Sequence, residues 1–128
     1  MKRIVSTACS VAALILVAVP AQAQDMPAPP EGETATVTGT VVDLACKFTY
    51  NLSGDEHRMC AQVCADKGVP LVILASDGQV YLPAGAGMPS DGQNDRLKEF
   101  AEQQVNVTGD VFEAGGAKVI RITDVERA

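Results

Sequence analysis

The chain has 128 residues, enough for one small domain with one modest core and not for several. Its formal net charge of −6 argues against a partner that is a phosphate backbone or an anionic membrane surface. With no tryptophan and 4% aromatic residues, it also lacks the stacking platform that sugar or base recognition uses.

Taken in order, the chain opens on a targeting pattern. Lys2 and Arg3 form a basic start, Val11 to Val19 is an apolar stretch too short to span a bilayer, and Ala21-Gln22-Ala23 is an A-x-A cleavage motif after Pro20. The expectation is a signal peptide over residues 1–23, cleaved after Ala23, that delivers a periplasmic or secreted protein with no membrane attachment afterwards. Cys9 precedes the apolar stretch and has Ser6 where a lipobox needs a Leu-like residue, so it is expected to leave with the signal. Losing Lys2 and Arg3 makes the mature chain more acidic still. Residues 24–35, with Pro27, Pro29 and Pro30, read as a flexible tether, and residues 36–127 as the folded domain.

From Thr36 a β-rich alternation through Val37, Gly39, Val41 and Asp43 predicts the first strand, with Gly39 marking a bulge or bend. Ser53-Gly54-Asp55-Glu56 reads as a capping box, Ser53 at the N-cap and Glu56 reaching back, opening a helix from about Gly54 to Lys67. Gly68 suits the position after its end and Pro70 forbids continuation. Val69 to Ala75 and Gln79 to Pro83 predict a hairpin about Ser76-Asp77-Gly78. After the Gly/Pro/Ser loop of residues 85–92, Asp91 or Asn94 is expected to cap a second helix with Leu97, Phe100 and Ala101 on one face. Asp95, Glu99 and Glu102 would form its solvated side. Two final strands, Val105 to Phe112 and Lys118 to Val125, flank a turn at residues 113–116.

The resulting order, β, α, β, β, α, β, β, is that of a five-stranded OB-like barrel, all-β to α+β in class. A Cys/His-bearing helix is inserted between strands one and two, and a second helix lies between strands three and four. The runner-up is an open α+β sheet. Neither fixes an activity.

Chemistry concentrates in one stretch. Beyond the signal, Cys46, Cys60 and Cys64 are the only cysteines and His57 the only histidine. Three sulfurs and an imidazole are a ligand set for Zn²⁺ or Cu⁺. Spacings of three and four put His57, Cys60 and Cys64 on one face of the predicted helix, with Cys46 at the end of strand one brought over it by the following loop. Asp43 is expected as a further ligand, or as acceptor of a hydrogen bond from the His57 ring. Met59 offers a thioether or core packing, Met88 is ambiguous in the same way, and Tyr50 and Tyr81 read as half-buried barrel residues.

Two alternatives use the same residues. Cys46 paired with Cys60 or Cys64 would staple the domain by about 2–4 kcal/mol, leaving a non-enzymatic module for a periplasmic protein partner or small ligand. A thiol-disulfide enzyme would use Cys60 or Cys64 beside His57. Otherwise no catalytic constellation is present: one histidine supports no Ser/His/Asp set, and Gly85-Ala86-Gly87 lacks the lysine of a phosphate loop.

The run Asp43-x-x-Cys46, His57-x-x-Cys60-x-x-x-Cys64, with Val107-Thr108-Gly109 near the end, resembles a group of small exported bacterial proteins with OB-like barrels. The resemblance spans roughly Thr36 to Val125. It implies the barrel and the Cys/His site, and carries over no reaction.

Overall fold

The computed structural model describes residues 31–128. The signal, its cleavage site, Cys9 and most of the tether lie outside the described residues. Five strands close a mixed barrel: β1 (Glu33–Asp43), β2 (Leu71–Ala75), β3 (Val80–Ala84), β4 (Gln104–Ala114) and β5 (Ala117–Arg127), in the spatial order β1-β2-β3-β5-β4. This order is consistent with an OB-like barrel. No helix among the described residues is long and apolar enough to cross a membrane.

β1 serves two neighbours. Its first part pairs antiparallel with β4, from Glu33↔Val111 to Thr40↔Gln104, and its end pairs with β2, from Gly39↔Ala75 to Asp43↔Leu71. β4 and β5 form a long hairpin, and a short parallel pairing, Tyr81↔Lys118 to Ala84↔Arg121, closes the barrel. Alternation sends Val37 and Val41, Val105 and Val107, and Ile120 and Ile122 inward, where they meet Leu71, Ile73, Ala65 and Leu97. The register shift falls between Thr108 and Gly109, and not at Gly39, whose pairing is continuous on both sides. At Gly109 the Arg121 backbone approaches so closely that a Cβ would collide with its carbonyl oxygen.

The helical segments differ most from expectation. In place of one helix between β1 and β2 there are two. α1 (Leu44–Tyr50) starts directly from β1, because the Asp43 side chain caps it by accepting the Cys46 N–H at 2.9 Å. Asn51, with φ 54°, ends it. A 3₁₀ turn (Asp55–His57) then leads into α2 (Arg58–Asp66). The capping box does not form. Gly54 takes the cap position without a side-chain bond, and its N–H is claimed by the distant Glu102 carboxylate at 2.9 Å. Ser53 instead accepts a hydrogen bond from Lys47 at 3.2 Å.

α2 ends as anticipated. Gly68 has φ 92°, its N–H bonds Ala65 O at 3.0 Å, and Val69 N–H bonds Cys64 O at 3.0 Å, the paired bonds of a Schellman motif.

The helix between β3 and β4 is short, α3 (Asn94–Leu97) followed by a 3₁₀ turn (Lys98–Phe100). Neither Asp91 nor Asn94 caps it. Asn94 is taken by tertiary bonds instead: its oxygen accepts Leu71 N–H at 3.0 Å, and its amide donates to Ala65 O and Val69 O at 2.9 Å each. Tyr81 packs against the core, but Tyr50 is 71% exposed on α1 and belongs to no barrel layer.

Candidate metal centre

Asp43 is the last residue of β1, and the helix it caps places Cys46 one turn on. His57 closes the 3₁₀ turn, Cys60 follows in the first turn of α2, and Cys64 lies one turn further. The ligand atoms of Cys46, His57 and Cys60 lie within 4.8 Å of one another, and so do those of Asp43, Cys46 and Cys64. All five residues anticipated from the sequence therefore meet at one end of β1. They form two groups of three that share Cys46, and not a single cluster. The three cysteines are free thiols. Cys60 is exposed, Cys46 and Cys64 are half-buried, and His57 and Asp43 are buried.

The His57 ring is oriented by a residue that the sequence did not single out. Its Nδ1 lies 3.0 Å from Oε1 of Glu102, whose side chain is 1% exposed. The other carboxylate oxygen accepts the Gly54 N–H. Glu102 is thus no part of a solvated helix face. It follows the 3₁₀ turn at φ 60°, with its own N–H bonded to Val41 O at 2.7 Å, while Gln103 O accepts Val41 N–H at 3.0 Å. The ring bond that Asp43 was expected to accept belongs to Glu102. The only signal in the sequence was indirect: a ligating histidine needs a partner for its second nitrogen, and nothing local distinguishes Glu102 from the other acids.

With Nδ1 donating to Glu102, the lone pair of a neutral imidazole resides on Nε2, and Nε2 is buried with no hydrogen-bond partner. A carboxylate-held imidazole with a free second nitrogen, beside two thiols, is a donor set that fits a thiophilic metal. α2 is fastened over the site by Arg58 Nε bonding Ala101 O at 3.1 Å and Gln62 bonding Lys98 O at 3.0 Å.

Two thiols are held in the protonated form. Burial, and next the Asp43 charge, push the Cys46 thiol up. Cys64 is pushed up to about 12, first through its contact with Asp43 as a hydrogen-bond acceptor and then through burial. That contact is loose, since Asp43 Oδ2 forms no well-aligned hydrogen bond, but the adjacent negative carboxylate still retains the thiol proton. A metal ion binding here displaces those protons.

Met59, 77% exposed, packs in no core. Together with Phe48, Leu52 and Val63 it leaves apolar side chains in solvent around the helices that carry the site. Comparison with protein-family models, curated proteins and solved structures finds no match.

Proposed function

We propose that this is a small exported protein of the OB-like class that holds a thiophilic metal, Zn²⁺ or Cu⁺, through Cys46, His57 and Cys60. Its role in this reading is storage or delivery of the ion, and no catalytic step is assigned to it. The observation that carries the reading is the buried, unpartnered Nε2 of a histidine whose other nitrogen is fixed by Glu102, in a group with two free thiols. Three protein ligands leave a tetrahedral ion one open position on the side of the exposed Cys60, which favours an exchangeable ion over a purely structural one. Export rests on the N-terminal targeting pattern, and the acidic mature chain suits a cation as cargo.

The test is native mass spectrometry of the reduced protein with Zn²⁺ or Cu⁺, followed by challenge with a chelator. The expected result is stoichiometric metal, weakened in His57→Ala and Cys60→Ser and released to the chelator without unfolding. Reduced protein that binds neither ion at stoichiometric concentration overturns the reading. Zinc that leaves only on unfolding would assign the site to structure.

A further inference from the structure

The second group of donors has an unsatisfied member of its own. Asp43 is fully buried, at 0% exposure; one carboxylate oxygen is spent on the Cys46 N–H, and Oδ2 has no partner. Among the described residues no ion pair reaches it. A buried carboxylate oxygen left in this way is costly unless a proton or a cation meets it. The donors within 4.8 Å are the sulfurs of Cys46 and Cys64.

Resting on the metal-binding reading above, we propose that the site takes two zinc ions bridged by the Cys46 thiolate, one ion on Cys46, His57 and Cys60 and the other on Asp43, Cys46 and Cys64. Zinc–sulfur bonds are about 2.3 Å, so two ligands of one ion stand at most about 4.6 Å apart. The five donors do not all lie within 4.8 Å of one another, so a single ion does not gather them as they stand, whereas each group of three falls within 4.8 Å and needs only a small closing of its side chains to meet its own ion.

Charge leads to the same count. Metal-bound cysteines are thiolates, their protons passing to solvent as each S–H is replaced by a sulfur–metal bond. Cys46, Cys60, Cys64 and Asp43 then bring four negative charges. Two divalent ions neutralise them, whereas one ion on Cys46, His57 and Cys60 offsets those two thiolates only and leaves the buried Asp43 carboxylate with no cation. Two Cu⁺ ions would leave two negative charges, and a carboxylate oxygen is a poor ligand for Cu⁺. A thiolate carries enough lone pairs to serve two ions.

The experiment is Zn²⁺ titration of the reduced, metal-free protein read by native mass spectrometry, joined to NMR of the ¹¹³Cd-loaded protein. Wild type should saturate at two ions, and Cys64→Ser and Asp43→Asn at one. The Cys46 β-protons should couple to two cadmium resonances. Saturation of wild type at one ion overturns the bridged pair and leaves the single-ion reading standing, whereas saturation at none overturns both. Two ions retained in Cys64→Ser, or cadmium resonances that share no cysteine, also overturn the proposal. If Asp43→Asn fails to fold, Cys64→Ser decides, since that half-buried side chain caps no helix.

Discussion

Glu102→Gln isolates the role of the carboxylate with almost no change in volume. Glu102 accepts from two donors, His57 Nδ1 at 3.0 Å and Gly54 N at 2.9 Å, and glutamine has a single acceptor oxygen. If that oxygen faces His57, the amide NH₂ meets the Gly54 N–H, donor against donor, at a cost of about 1–3 kcal/mol. If it faces Gly54, the NH₂ donates to Nδ1 and the imidazole proton must move to Nε2, the nitrogen needed for the metal. Each arrangement penalises the productive one. Loss of an outer partner of this kind typically costs about 10–100-fold in metal affinity, or about 1.4–2.8 kcal/mol at 1.4 kcal/mol per factor of ten. The assay is competition for Zn²⁺ between the reduced protein and a chromophoric chelator. Affinity within twofold of wild type would refute the argument that Glu102 sets the His57 tautomer.

Three further outcomes are expected. Glu102 sits at φ 60°, so Glu102→Gly should be more stable than Glu102→Ala by about 1 kcal/mol in urea unfolding; equal stability would mean the left-handed backbone carries no strain there. The Cys64 thiol has a folded value near 12 against 9.0 for a free thiol, so between those values the unfolded chain has lost a proton that the folded chain keeps. Metal-free stability should therefore be intact below pH 9, fall as pH rises toward 12, and fall less in Cys64→Ser, as read from Tm against pH. Gly109→Ala would press a Cβ against the Arg121 carbonyl carbon at 2.9 Å and Ile120 Cγ1 at 3.1 Å, and should cost about 1–3 kcal/mol in urea unfolding.

The barrel was legible because its signals are local. Val37 and Val41, Val105 and Val107, and Ile120 and Ile122 alternate at the period of a strand, and Ser76-Asp77-Gly78 and Gly68 carry their turns in their own chemistry. The candidate donor residues stand out in the sequence because cysteine and histidine are scarce in the chain. What sequence reasoning missed depends on contacts distant in the chain. The apparent capping box failed because the Gly54 N–H found Glu102, 48 residues away. α1 has no signature in the sequence, because a seven-residue helix that buries no residue shows no apolar period. Glu102 looked like surface because Lys98 and Glu99 before it are polar, and its burial follows from a backbone stitched to Val41. The division into two donor groups depends on where α1 turns Cys46, which spacing along the chain does not encode.

That stitch to Val41 has a kinetic meaning. Asp43 and Glu102 are both referenced to one strand whose interior is closed to solvent, whereas Cys46 rides on α1, which buries none of its residues. The parts of the cluster therefore open at different free energies: the carboxylates only with the barrel, and α1 by itself, at far lower cost. In the proposed metal-carrying reading, the ion leaves by fraying at one helix, and the frame that recaptures the next ion stays assembled throughout.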